Sequence, residues 1–407
     1  MAIKYLSKSS VKNKVVLLRV DVNVPIDGGK VSDAFRIEQI IPTIRHLQAD
    51  GNSVIVCGHL GRPKGKVDST LSLKPVAELM ADMLGYKSLT TAHALPDYGI
   101  NHLIFYTGSI TEEKHHAQLS SVPSKDVVLL ENLRFYPGEE ENDPVFAKKL
   151  ASFSDVYVND AFGVDHRESA STVGVTKYLD SYCGLLLEKE IKALDMVMQK
   201  VQHPFVVMTG GIKLSEKVGT LQNLGKQADK ILVGGGVANL IFKTKDYEIG
   251  LSKIEESEAK TAWEISKNFK DKLVLPLDVV VANKNLDKHS IRAIEPFDVK
   301  KDEQMLDIGP KTILEYSKII KEAKTIVWSG PFGLFEKKPF DTGTMALARL
   351  LGGRGKGIAF VVAGGGDTVD AIKQAGQFEH FDHVSTGGGA MLEYLAGKKL
   401  PGIEALK

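Results

Sequence analysis

Apolar positions along this chain alternate between two patterns, short unbroken apolar runs and longer stretches with helical spacing. A strand with one wet face would alternate polar and apolar residues. Unbroken runs separated by helices instead fit parallel strands buried on both faces. In the first half the strand-like runs are Val15–Val22, Ser53–Cys57, Leu103–Tyr106, Asp126–Leu130 and Asp155–Val158. Helical patterns cover Ala34–Gln48, with Pro42 as a kink, and Val76–Leu84. Apart from Leu103–Tyr106, the segment from Thr90 to Ser124 has no period that assigns it. Between Gly184 and Val201 the pattern changes. Leu187, Ile191, Leu194, Met198 and Val201 step by four, three, four and three, which is one face of a helix. The other face carries Glu188, Lys189, Glu190, Lys192 and Lys200. Its place near the middle of the chain makes this the candidate interdomain helix, although an ordinary surface helix of either half has the same pattern.

The second half repeats the alternation with a strand-then-glycine junction each time. Phe205–Met208 runs into Thr209-Gly210-Gly211-Ile212-Lys213, and Ile231–Val233 into Gly234-Gly235-Gly236. Thr325–Trp328 leads to Ser329-Gly330-Pro331-Phe332-Gly333, Ile358–Val362 to Gly364-Gly365-Gly366-Asp367-Thr368, and His383–Thr386 to Gly387-Gly388-Gly389. A single junction of this kind is a tight turn. Five suggest a site at the carboxyl ends of a parallel sheet, where open α/β folds bind ligands. Gly364–Thr368 carries the most chemistry. Glycines let backbone N–H groups approach an anion, and the helix expected from Val369 adds its positive end. Asp367 suits Mg²⁺, which takes oxygen ligands and keeps several waters. The plainer reading is a turn in which Asp367 and Thr368 cap the next helix.

Composition narrows the function. The 407 residues suffice for about two or three domains with substantial cores. A net charge of +1 argues against a general nucleic-acid or membrane-surface binder, so any basic site is local. Two cysteines, Cys57 and Cys183, make neither a disulfide framework nor a metal-ligand pattern. Met1–Ser10 has no apolar leader-like core, and no apolar run approaches a membrane span; a cytoplasmic protein is expected.

Lys213 and Lys217 lie four apart and share a face if a helix begins after Gly211. They suit two phosphate groups, or, more simply, a solvated pair balanced by Glu216. Neither GxxxxGK[S/T] nor GxGxxG occurs, which argues against a standard P-loop and a dinucleotide or protein-kinase glycine loop. The first half places arginines after strand ends instead: Arg36, Arg62, Arg134 and Arg167. Guanidinium forks bind carboxylate and phosphate, so converging arginines describe a small, highly anionic substrate. Each taken singly also suits a surface pairing with a carboxylate. An anion pocket in one half and a nucleotide-phosphate pocket in the other suit phosphoryl transfer, which needs positioning, charge neutralisation and closure against water.

Six motifs in order carry a resemblance over nearly the whole chain. They are Arg19–Pro25, Gly58–Pro63, Leu130–Phe135, Val158–Gly163, Gly364–Thr368 and Ser385–Ala390. Together they resemble phosphoglycerate kinases. The resemblance implies two Rossmann-like, parallel-sheet α/β domains: residues 1–183 binding phosphoglycerate and 203–385 binding nucleotide. It further implies a hinge helix over 184–202 and a tail, 386–407, that returns to the first domain. The implied reaction is reversible transfer of the acyl phosphate of 1,3-bisphosphoglycerate to Mg-ADP, giving 3-phosphoglycerate and ATP in a monomer. By the same resemblance Asp21, Asn23, Arg36, His59, Leu60, Gly61, Arg62, Arg134 and Arg167 would hold the phosphoglycerate. Lys217, Glu336, Gly365, Gly366, Asp367 and Thr368 would hold ADP or ATP, with Asp367 at the Mg²⁺. Arg36, Lys213, Gly388 and Gly389 would stabilise the phosphoryl group in flight. Departures from the pattern are Ile212, where a smaller residue is expected, Glu168 beside Arg167, and Gln304–Pro310, which matches only in its latter part. A kinase of another small carboxylic acid on the same scaffold is the alternative.

Overall fold

The computed structural model describes residues 2–91, 101–112, 119 and 122–407. The chain forms two compact units, Met1–Ile191 with Lys399–Lys407, and Lys192–Lys398.

The first unit is built on β1 (Val15–Val20), β4 (Ser53–Cys57), β5 (Lys87–Thr91), β6 (His102–Tyr106), β7 (Val127–Leu130), β8 (Val156–Asp160) and β9 (Asp180–Cys183). A small hairpin of β2 (Ile26–Asp27) and β3 (Lys30–Val31) follows β1. The seven strands lie in the order β5-β6-β7-β4-β1-β8-β9, and every neighbouring pair is parallel. Register puts Arg19 of β1 beside Cys57 of β4 and Asn159 of β8, so these three strands end level. The residues that follow them therefore emerge along one edge. Central strands bury both faces, as their unbroken apolar runs require. The edge strands β5 and β9 escaped the sequence reading. Each pairs with a single strand of the sheet and carries a polar sequence, Lys-Ser-Leu-Thr-Thr or Asp-Ser-Tyr-Cys, that no core demands. Of the unassigned Thr90–Ser124 stretch, residues 92–100, 113–118, 120 and 121 lie outside the described residues.

Helix Phe35–Ala49 tolerates Pro42 and turns Ile37, Ile40, Ile44 and Leu47 into the core. Helix Lys74–Leu84 ends on Gly85, whose φ of +77° forms the left-handed cap that glycine adopts without strain. Helix Leu185–Gln199 buries Leu187, Ile191 and Leu194 as their spacing predicts, and Val201 lies beyond its end. Its opposite face is not uniformly wet, however: Glu188 and Glu190 are buried. Glu188 accepts a 2.6 Å hydrogen bond from Ser7 Oγ, 181 residues away, a partner that helical periodicity cannot reveal.

The second unit contains β10 (Phe205–Thr209), β11 (Lys230–Val233), β12 (Leu273–Val274), β16 (Thr325–Ser329), β17 (Phe360–Ala363) and β18 (His383–Val384). They form a parallel sheet in the order β12-β11-β10-β16-β17-β18. A separate antiparallel sheet, β14-β13-β15, consists of β13 (Val279–Asn283), β14 (Arg292–Ile294) and β15 (Glu303–Ile308). The main core gathers Val206, Met208, Ile326, Trp328 and Val361 from the sheet with Tyr316, Ile320 and Leu347 from its helices. β17 begins two residues later than its apolar run, leaving Ile358 half exposed. The helix after it, Gly366–Gln374, starts inside the glycine run, because Gly365 at φ +104° makes the turn. Asp367 and Thr368 therefore sit in the helix's first turn and do not precede it.

Candidate active site

In the first unit the ends of β1, β4 and β7 are tied together through Gly61. Its N–H donates to Asn23 Oδ1 at 2.9 Å, and its carbonyl accepts from Arg134 Nη1 at 2.7 Å. Gly61 holds φ at +62°, the left-handed region, so the loop turns sharply enough to meet both neighbours. The carbonyl of Leu60 accepts from Asn132 Nδ2 at 2.7 Å, adding a second tie to the β7 end. Asn23 N–H donates to Asp21 Oδ1 at 3.1 Å. Arg36, on the first turn of its helix, donates to the Asn23 carbonyl at 2.6 Å and lies 3.6 Å from Asp21 Oδ2. Arg134 is nearly buried and pairs with Glu140 at 3.2 Å; burial pushes its guanidinium pKa down.

His59 follows β4 and is almost fully buried. Its pKa lies well below the ordinary histidine value, first through burial and then through Arg19, Arg134, Arg167 and Arg36. Four guanidinium charges thus act on one imidazole, three of them (Arg36, Arg134 and Arg167) from the expected arginines, while Arg62 is not among them. Arg167 is exposed and donates to His166 Nε2 at 3.1 Å. Arg62 is exposed and bonded to none of these groups. Glu168 is exposed and makes no ion pair with Arg167 among the described residues.

Arg19 escaped the list of candidate side chains. It is 2% exposed in the middle of the sheet. Nε donates to Ser171 Oγ at 2.8 Å, Nη1 to the carbonyl of Val20, and Nη2 lies 3.4 Å from His59 Nδ1. Ser171 in turn gives its hydroxyl and N–H to the two oxygens of Glu139, at 2.6 and 3.0 Å. The signal was available: an arginine inside an otherwise apolar parallel strand needs a buried set of acceptors.

In the second unit the five glycine junctions meet at one sheet edge, backbone against backbone. A Cβ on Gly210 would collide with the carbonyl oxygen of Pro331, and one on Gly235 would lie 3.1 Å from Gly211 N. On Gly388 it would lie 2.7 Å from Gly365 Cα. Gly330 N–H donates to Thr368 Oγ1 at 2.7 Å, which leaves the hydroxyl proton of this buried side chain free to donate. Gly366 and Gly389, by contrast, face open space at the starts of helices Gly366–Gln374 and Gly388–Leu395. Their N–H groups sit where the helix positive ends favour phosphate.

The lysine pair is assembled differently from the expected helix face. Helix Val218–Gln227 begins only after Lys217, and residues 211–217 make an irregular turn. Lys217 is largely buried, its Nζ donating to the Lys213 carbonyl at 3.1 Å, and burial lowers its pKa. That ammonium stands beside Gly211, 3.7 Å from where a Cβ would be. Lys213 extends into solvent and pairs with Glu216 at 3.0 Å. Glu255 fixes the turn by accepting from Ser215 N–H and Oγ at 2.9 and 2.6 Å. Asp367 is exposed and makes no hydrogen bond among the described residues, while its charge acts on both lysines. Glu336 is exposed in the turn between Phe335 and Phe340 and is bonded to none of the glycine loops. Among the described residues no group of three or more His, Cys, Asp or Glu side chains could cage a metal. A single free carboxylate beside a phosphate cradle does fit Mg²⁺, which binds through one or two carboxylates plus substrate phosphates.

The model of the family described as phosphoglycerate kinase matches residues 6–398. The chain belongs to the phosphoglycerate kinase family. It is 41% identical over 409 residues to the phosphoglycerate kinase of Pelotomaculum thermopropionicum, covering 100% of this chain and 99% of that one. It is 43% identical over 399 residues to the phosphoglycerate kinase of Xanthobacter flavus, covering 97% and 96%. The solved phosphoglycerate kinase of Coxiella burnetii superimposes with a TM-score of 0.83 at 36% identity, over 100% of this chain and 99% of that one. That of Pyrococcus horikoshii gives 0.84 at 30%, over 99% and 98%. Family membership extends to the two parallel-sheet α/β fold and to a phosphotransferase of glycolysis with a carboxyl acceptor. It does not favour a kinase of another carboxylic acid.

Proposed function

We propose that this chain transfers the acyl phosphate of 1,3-bisphosphoglycerate to ADP, reversibly and directly. The observation that carries the reading is the pairing of two unlike anion sites in one chain. One is a set of guanidinium groups around an uncharged histidine, the other an edge of backbone N–H groups with two ammonium groups. In the forward direction the bond between phosphorus and the carboxylate oxygen breaks as a β-phosphate oxygen of ADP bonds the same phosphorus. The acceptor oxygen is already ionised and the leaving group departs as a carboxylate with the bonding pair, so direct transfer needs no general base and no covalent enzyme intermediate.

Asp21, Asn23, Arg36, His59, Leu60, Gly61, Arg62, Arg134 and Arg167 hold the phosphoglycerate, with Gly61 and Arg134 keeping the strand-end loops in place. Lys217, Glu336, Gly365, Gly366, Asp367 and Thr368 hold the nucleotide. Arg36, Lys213 and the N–H groups of Gly388 and Gly389 stabilise the charge that spreads over the moving phosphoryl group. Lys213 leaves Glu216 to do so; both side chains of that pair are exposed to solvent, so little is lost in the exchange. Mg²⁺, when bound, would neutralise phosphate oxygens, and Asp367 is the residue that would hold it. Closure about residues 184–202 excludes water during transfer, between a phosphoglycerate domain of 1–183 and a nucleotide domain of 203–385, with 386–407 as the returning tail. Small-angle scattering showing no compaction with both substrates bound would refute closure. No described helix is long and apolar enough to cross a membrane; a cytoplasmic monomer acting on small molecules, without nucleic-acid or membrane partners, is the working assignment.

The test is turnover with Mg-ATP and 3-phosphoglycerate, the acyl phosphate drained by a coupling enzyme, for the native chain, Lys213→Ala and Arg36→Ala. Strong native activity lost in both variants supports the reading. Absence of native activity, with nucleotide still binding, refutes it.

A further inference from the structure

The buried arginine of β1 has no place in the reaction above, yet it makes the only protein contact with a ring nitrogen of His59 among the described residues. A guanidinium has donors and no acceptor. Where Arg19 Nη2 approaches His59 Nδ1 at 3.4 Å, the ring nitrogen must therefore supply its lone pair. In a neutral imidazole the proton then resides on Nε2. Arg19 cannot turn away from this contact. Nε is held by Ser171 Oγ, Nη1 by the Val20 carbonyl, and Ser171 is itself clamped by both oxygens of Glu139. Tyr157 adds a 2.7 Å bond from its hydroxyl to the Ser171 carbonyl. At 2% exposure Arg19 is sealed away from any ligand and acts only through its neighbour.

We infer that Arg19 is a positioning residue that locks His59 as the neutral Nε2–H tautomer, presenting one uncharged hydrogen-bond donor to an anionic oxygen of the phosphoglycerate. The inference deepens the proposed function and rests on it for the identity of the ligand, but not for the tautomer. The charges around the ring agree with it. Arg19, Arg134, Arg167 and Arg36 all oppose a second proton, so the imidazole cannot serve as a cation or as a proton carrier near neutral pH. A histidine at this position thus adds direction to a site whose charge already comes from arginines.

The decisive measurement is ¹⁵N NMR of histidine-labelled full-length protein without substrate, from about pH 5 to pH 8. The expected spectrum has His59 with a protonated Nε2 and an unprotonated Nδ1, unchanged across the range. In Arg19→Met the two tautomers should mix. KM for 3-phosphoglycerate should rise about tenfold, the equivalent of about 1.4 kcal/mol, with a smaller change in kcat and none in KM for ATP. Arg19→Lys, which keeps one donor, should recover part of the loss. A native His59 protonated on Nδ1, one that titrates in this range, or an Arg19→Met protein with an unchanged tautomer would each overturn the inference. Should Arg19→Met fail to fold, the native spectrum still decides, together with Ser171→Ala. That variant loosens Arg19 without removing it and should raise KM by a smaller factor. Because the tautomer is read without substrate, its failure is distinguishable from failure of the proposed reaction.

Discussion

Adjacent glycines at the start of helix Gly388–Leu395 should respond oppositely to the same substitution. A Cβ on Gly388 would sit 2.7 Å from Gly365 Cα and 2.9 Å from Gly365 N, both backbone atoms with no rotamer to yield. Restoring ordinary carbon contact, about 3.5–4.0 Å, requires the two loops to separate by roughly 1 Å. Overpacking of this kind costs about 1–3 kcal/mol, and Tm should fall by about 2–4 °C for each kcal/mol. Gly365 also makes the turn into helix Gly366–Gln374, so its displacement carries Gly366 and Asp367 with it. A misplacement of about 1 Å in a positioning element costs roughly a hundredfold in rate, equivalent to about 2.7 kcal/mol. Gly389 has nothing within 4 Å of its Cβ position and lies in the first turn of the helix. Gly389→Ala should gain up to about 0.5–1 kcal/mol in stability. Differential scanning calorimetry and coupled turnover on Gly388→Ala, with calorimetry alone on Gly389→Ala, provide the test. Equal stability of the two variants, or a Gly388→Ala enzyme with native kcat, would refute the backbone-on-backbone account of the phosphate edge.

Burial raises the pKa of Asp165 to about 7, so its folded form favours the protonated acid; the stabilisation is complete below about pH 4 and is lost as pH rises through about 7. Native Tm should therefore fall between pH 5 and pH 8, a trend to which the similarly raised Asp160 and Asp307 also contribute. Asp165→Asn should flatten it, and an unchanged slope would exclude Asp165 as a source. Arg134→Met removes the bond to the Gly61 carbonyl and the pair with Glu140. Loss of a charge-assisted bond worth about 1.5–3 kcal/mol should raise KM for 3-phosphoglycerate about 10- to 100-fold while leaving KM for ATP alone. In Asp367→Asn, calorimetric titration should show ADP binding nearly unchanged without Mg²⁺ and weakened about tenfold with it; equal affinities in both conditions would remove Asp367 from the metal.

Much of the fold was legible because its signals are local. Unbroken apolar runs marked the central strands of both sheets, whose two faces are buried regardless of what comes next in the chain. Edge strands β5 and β9 were not legible, since strands at the margin of the sheet carry no unbroken apolar run. The β13–β15 sheet was missed as well, because its strands lack the paired or triple glycines and Ser-Gly-Pro turn that follow β10, β11, β16, β17 and β18. Among the proposed site residues, His59, Arg134 and Gly61 could be named from motifs, while Glu139 and Ser171, which hold Arg19 in place, could not.

What the sequence by itself determined was therefore the class of chemistry. The unbroken strand runs called for a parallel α/β protein, the glycine junctions for a phosphate edge, and the arginines for an anionic ligand. Each is a property of one short segment read against backbone geometry and charge. Tertiary structure alone decided how the residues act. The glutamates of the mid-chain helix are buried rather than solvated, and Lys217 faces Gly211 through an irregular turn instead of along a helix face. Arg19 meets His59 across 40 positions and Ser171 across 152. Hydrogen bonding and desolvation depend on neighbours in space. A tautomer, a lowered pKa or a buried charge is settled only when chain folding brings those neighbours together.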